Sequence, residues 1–288
     1  MKKLFLIFLI MSLCLPAYGA TYRRHIEPET LVQNARVIAD GGTVVDSWWL
    51  NYFIRTLKDK GLYTSCKFLA DANFGVKKDG GNAVATLYDI SGNNNDATQG
   101  TGANQPIWTA AQQNGKAGLV FDGTDDLLNA GADATLQPTT FNIFAVVKST
   151  TNSGDYCGIV TTAIYGNYYG YSLRLNSSDI AQLCVQTSSG GATISTATPI
   201  SNTTLLIGIN DGSNLNIFKN GVTETPIEGG TIAYEAGDNF LLGSYNGSPP
   251  AGNKFEGNLF SVILFSPFLT TTQRQAVGNP LNSYYVTY

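Results

Sequence analysis

The chain has 288 residues, a formal net charge of −4 and a charged fraction of only 13%. Mild acidity without a basic stripe interleaved with aromatics excludes a nucleic-acid partner, because phosphate-backbone binding leaves that electrostatic footprint. A single histidine, His25, leaves no supply for a histidine-based triad or a histidine-ligated metal centre.

Lys2 and Lys3 precede an unbroken apolar run from Leu4 to Leu15, followed by Pro16 and the stretch Ala17-Tyr18-Gly19-Ala20. This pattern predicts a secretory signal peptide over residues 1–20 and a secreted, periplasmic or cell-surface destination. The run falls well short of the roughly 20 apolar residues a helix needs to cross a bilayer, so no membrane insertion is expected after leader removal. Losing Lys2 and Lys3 with no acid takes the formal charge from −4 to −6.

Residues 21–76 read as a helical segment. A first helix spans Glu29 to Ala39 behind Pro28 and stops at Gly41-Gly42, with Leu31, Val32, Ala35, Ile38 and Ala39 as its apolar stripe. A second starts at Asp46 or Ser47 and repeats Trp49, Leu50, Phe53, Ile54 and Leu57 before Lys58, Lys60 and Gly61. Such a stripe is stable only when it packs, so the segment is expected to dock on the rest of the chain or on a partner.

From Val84 the signal changes to short β-branched and aromatic runs broken by Gly, Asn, Asp and Ser, which predicts an all-β sandwich over 77–288. Asn220-Gly221 is its strongest hairpin signal. A brief helix is expected from Thr270 to Ala276, ahead of Gly278 and Pro280. Cys66, Cys157 and Cys184 fit no zinc spacing, and the strand registers place Cys157 near Asn176 and Cys184 near Ser172, which favours free thiols over a disulfide.

Three motifs carry a family resemblance. Tyr88-Asp89-Ile90-Ser91-Gly92-Asn93-Asn94-Asn95-Asp96-Ala97, Gly118-Leu119-Val120-Phe121-Asp122-Gly123-Thr124-Asp125-Asp126-Leu127 and Leu269-Thr270-Thr271-Thr272-Gln273-Arg274-Gln275 stand in this order along the chain. In order and spacing they resemble the opening, the second strand and the closing helix of the laminin-G-like, concanavalin A-like lectin and glucanase superfamily, in its bacterial and phage form. The helical segment ending at Leu62 also resembles a helix that precedes such domains in phage-encoded proteins. The resemblance implies a two-sheet antiparallel jelly roll whose concave face or loop rim often binds sugars and sometimes holds calcium. Fold alone leaves function open between lectin, adhesive module, virion-surface protein and polysaccharide hydrolase or lyase.

The residues narrow that choice. The glucan-cleaving members resemble one another in a Glu-x-Asp-x-x-Glu strand, whose alternation sets two carboxyls about 5 Å apart on one face. None of the six glutamates, Glu27, Glu29, Glu224, Glu228, Glu235 and Glu256, stands in such a pattern, and Pro226 separates Glu224 from Glu228. For calcium, Asp89, Asn93, Asn95 and Asp96 crowd oxygen ligands into one loop, with Asp122, Asp125 and Asp126 as additions. The same residues also stabilise turns with no metal, so both readings stand. For a glycan, strand alternation puts Tyr169, Tyr171, Leu173 and Leu175 in the core and Tyr168, Ser172 and Arg174 on the other face. Tyr168 and Arg174 are therefore the first ligand candidates, with Trp108 and Tyr245 next. The alternative for Trp108 is that it plugs the end of the sandwich.

Overall fold

A computed structural model describes residues 25–150, 154–162, 169–187, 190–235, 237–245 and 253–288, so the leader and Tyr168 lie outside the described residues. Helices α1 (Pro28–Ala39) and α2 (Ser47–Asp59) come first. They are followed by β1 (Cys66–Asp71), β2 (Val76–Lys78), β3 (Val84–Leu87), β4 (Ala97–Thr98), β5 (Ile107–Gln113), β6 (Lys116–Asp122), β7 (Leu128–Asn129), β8 (Phe141–Ser149) and β9 (Cys157–Thr161). Then come β10 (Gly170–Leu175), β11 (Ala181–Thr187), β12 (Gly190–Ser195), β13 (Thr204–Asn210), β14 (Asn214–Lys219), β15 (Val222–Thr223), β16 (Ile227–Glu228), β17 (Leu241–Leu242), β18 (Glu256–Phe265) and helix α3 (Thr271–Tyr285).

The strands form two antiparallel nine-stranded sheets, a jelly-roll sandwich. Sheet I runs β15-β14-β13-β8-β18-β6-β5, with β1 on β18 and β16 on β14. Sheet II runs β12-β11-β10-β9-β17-β7-β4-β3-β2. Between them lies the main core, where Phe121, Phe141, Ile143 and Leu206 of sheet I meet Tyr171, Leu173, Leu183 and Leu242 of sheet II. The hairpin signal is met: Asn220 and Gly221 sit at φ 50° and 78° between β14 and β15, the left-handed pair a type I′ turn requires.

A second core lies on the outside of sheet I. Phe144, Val146, Leu205, Ile207, Phe260 and Ile263 pack against α2 and α3. Trp49, Leu50, Phe53, Ile54 and Leu57 of α2 are all buried there. At about 1.5–3 kcal/mol per large apolar side chain, this stripe supplies a substantial share of the driving force for docking α2. Coverage on both faces also explains why β8 and β13 are almost continuously apolar rather than alternating. The expectation that the second helix must dock is thus met on the sheet itself.

Three expectations need correction. The apolar stripe assigned to the first helix is not its buried face: Leu31, Val32 and Ile38 are exposed, and Thr30, Gln33 and Val37 are buried. Polar anchoring decides this, because Arg36 donates to Asp89 O and Asp96 Oδ2, both at 2.6 Å, and Thr30 bonds Asn51. The last helix does not stop before Gly278 but continues through Pro280 to Tyr285. Val277, Leu281 and Tyr285 bury against sheet I, and this packing outweighs the backbone bond that Pro280 cannot make. Finally, the strands begin before Val84, and the border drawn between residues 76 and 77 falls inside β2, so the sheets draw on the end of the segment read as helical.

Candidate functional site

With helices over sheet I, the face that carries no helix is the outer face of sheet II, which is exposed at Thr193 and Thr98 but buried at its centre, where Ser172, Thr161 and Leu241 lie. Its outward residues align across the strands by register: Thr193, Cys184, Ser172, Thr161, Leu241, Asn129, Thr98, Thr86 and Lys77 form one transverse row from β12 to β2. At about 4.8 Å between strands the row is roughly 38 Å long. Eight of these nine side chains are polar or small, whereas the inward residues beside them are Leu, Ile, Val and Tyr. A groove of about 480 Å³ lined by Thr98, Gln99, Gly100, Leu127 and Asn129 lies along the β4–β7 part of this face.

Arg174 stands on the same face, paired with Gly158 of β9 and Gln182 of β11. Its guanidinium carbon lies 4.5 Å from the ring centre of Tyr156 and 5.2 Å from that of Tyr245, and the two rings are 5.6 Å apart. The Nε donates to Gln182 Oε1 at 3.1 Å. These three distances form a triangle, so the two rings lie side by side against the guanidinium in cation–π contact, and Tyr245 also hydrogen-bonds it. Tyr156 is 41% exposed, while Arg174 and Tyr245 are 9% and 8% exposed. Burial pushes the Tyr245 phenol up, and the neighbouring Arg174 opposes that shift. Two positions along β10, the Ser172 hydroxyl is 1% exposed and has no hydrogen-bond partner among the described residues.

The sequence-level candidates therefore separate. Arg174 and Tyr245 come together, and Tyr156, Gln182 and Ser172 join them. Tyr156 lies just ahead of β9, and only the strand pairing reveals that it reaches Arg174. Trp108 stands apart, on β5 at the edge of sheet I rather than in a loop. Its indole N–H donates to Ala72 O at 3.0 Å, Lys78 Nζ covers its ring at 4.1 Å, and it packs on the main core.

The Asp89 loop does not fit a calcium ion. Asp89 Oδ1 accepts from the Leu69 and Ser91 N–H groups, and Oδ2 accepts from the Ser91 hydroxyl and the Asn95 N–H. Those four donors use the lone pairs a cation would need. Asp96 takes the Asp89 N–H and Arg36, and Asn93 and Asn95 turn their amide nitrogens to the Lys67 carbonyl. This loop is an anchor tying α1, β1 and β3 together. The carboxylates of Asp122, Asp125 and Asp126 do converge within 4.8 Å. Lys254, 3% exposed, supplies positive charge beside them. Burial, then the Asp122 charge, lifts Asp126 to about 7.

The glutamates build no acid–base pair on a strand face. Glu224 accepts from the Ala197 N–H at 2.7 Å, and Glu228 sits exposed on the edge strand β16. Cys66, Cys157 and Cys184 form no disulfide among the described residues, and Cys184 faces Ser172 as the register count requires.

No family model and no curated protein matches the chain. Among solved structures, domain 4 of AbnA, a GH43 extracellular arabinanase from Geobacillus stearothermophilus in complex with arabinotriose, is similar over 74% of this chain and 97% of its own, at 15% identity and a TM-score of 0.50. The CBM40 of the Ruminococcus gnavus IT-sialidase bound to α2,3-sialyllactose covers 56% of this chain and 95% of its own, at 15% identity and a TM-score of 0.44. The leech intramolecular trans-sialidase covers 52% and 26%, at 16% identity and a TM-score of 0.42. At these identities the likeness concerns the sandwich fold alone.

Proposed function

We propose that this chain is an exported, non-catalytic carbohydrate-binding module of the laminin-G-like kind, which holds its glycan on the outer face of sheet II around Arg174, Tyr156 and Tyr245. One observation carries the reading. The face left free of helices carries polar or small side chains along most of its width, and on it a guanidinium stands against two neighbouring aromatic rings. Aromatic faces stack on sugar rings while amides and guanidinium groups bond hydroxyls, which is the equipment such a face needs. The arabinotriose complex of the AbnA domain is a precedent for this use of the fold.

The reading is tested by presenting the chain without residues 1–20 to a glycan array beside Tyr156→Ala. Wild-type signal on a defined set of glycans, lost in the variant, is the expected result. A blank array, or signals unchanged by Tyr156→Ala, sinks it. Release of reducing ends or unsaturated products from the bound polysaccharide would replace it with the hydrolase or lyase reading.

A second reading has its own support. Ile26, Leu31, Val32 and Ile38 expose an apolar surface on and beside α1, which suits attachment to a larger surface or virion assembly. In that case the full chain elutes as an oligomer in size exclusion, and Val32→Asp returns it to a monomer.

A further inference from the structure

Arg174 is nine-tenths buried, yet no carboxylate answers it. All 21 acidic residues of the chain fall within the described residues, and none makes an ion pair with Arg174. A buried cation without a counter-charge is costly, and chains ordinarily avoid it by pairing. The partners it does have are neutral: Gln182 takes the Nε, and Tyr156 and Tyr245 lie side by side against the guanidinium, Tyr245 hydrogen-bonding it. What is missing is a counter-charge, and the paired donors of a guanidinium match the two oxygens of a carboxylate.

A second observation points the same way. Ser172 presents a buried, unpartnered hydroxyl on the same face, about 7 Å along the strand.

We infer that the ligand is an acidic glycan and that Arg174 receives the carboxylate of a uronate-type sugar, with Ser172 bonding a neighbouring oxygen. This deepens the carbohydrate-binding reading above and rests on it. Neutral sugars would leave the buried guanidinium without a counter-charge.

The test is affinity electrophoresis of the full chain and of Arg174→Gln in gels containing polygalacturonate, alginate or hyaluronate. Each polymer is run beside its carboxyl-reduced form, a neutral arabinan and a sulfated galactan. Binding to at least one uronate polymer is expected, falling roughly 10- to 100-fold on carboxyl reduction and by a similar factor in Arg174→Gln. Should Arg174→Gln fail to fold, the comparison of native with carboxyl-reduced polymer decides alone, since it needs no variant. Equal retardation by native and reduced polymers, or binding confined to the neutral or sulfated polymer, overturns the carboxylate inference and leaves glycan binding standing. No retardation by any polymer overturns both.

Discussion

Replacing Arg174 with alanine removes two opposing contributions. Stacking on Tyr156 and Tyr245 is lost, at about 0.5–2 kcal/mol, while an uncompensated buried charge is also relieved. The two nearly offset, so the unfolding free energy of Arg174→Ala from urea titration should stay within about 1 kcal/mol of wild type while glycan binding is lost. Asp71 behaves differently. It is fully buried, accepts from the Tyr285 hydroxyl at 2.7 Å and from the Asn73 N–H at 2.8 Å, and burial lifts its carboxyl from 3.8 to about 6. A folded-state carboxyl raised above its unfolded value binds a proton that the unfolded chain has released, so its contribution is present below 3.8 and lost as pH rises through about 6. Asp71→Asn should flatten the decline in stability across that window, as measured by urea unfolding at stepped pH. An unchanged slope would remove Asp71 as its source. Of these residues only Arg174 and Tyr245 were legible in the sequence, Arg174 through its alternation with Leu173 and Leu175. Tyr156 and Asp71 depend on pairings across long stretches of chain that no local pattern carries.

At the scale of elements, α2 was legible because its five large apolar residues repeat with helical period and Asp46 caps its start. Phe53→Ala should therefore cost about 3–5 kcal/mol in urea unfolding, as the removal of a fully buried ring does. The neighbouring α1 shows the limit of periodicity. Its apolar residues also repeat, yet the helix is held by Arg36, Thr30 and Gln33, and Val32→Ser should change stability by less than about 0.5 kcal/mol. Strands β1 and β2 escaped the sequence reading because Cys66–Asp71 and Val76–Lys78 are short and lie between a helix and a turn. The extent of α3 escaped it because Gly278 and Pro280 are local stop signals that packing of Leu281 and Tyr285 overrides.

For the molecule as a whole, α2 and α3 cover the same sheet, and the proposed recognition surface is the outer face of the other one. The two-sheet sandwich was legible from the alternation and turn residues after Val84, but which face stays open was not, since it depends on where α2 and α3 dock. The most direct test is an NMR titration of the isotope-labelled chain with the oligosaccharide selected on the glycan array. Amide shifts gathered on β9, β10, β11 and β17 around Arg174, with the α2 and α3 side silent, are the predicted result. Shifts gathered instead on the helical side, or spread with no cluster near Arg174, would contradict the assignment of the open face as the binding surface.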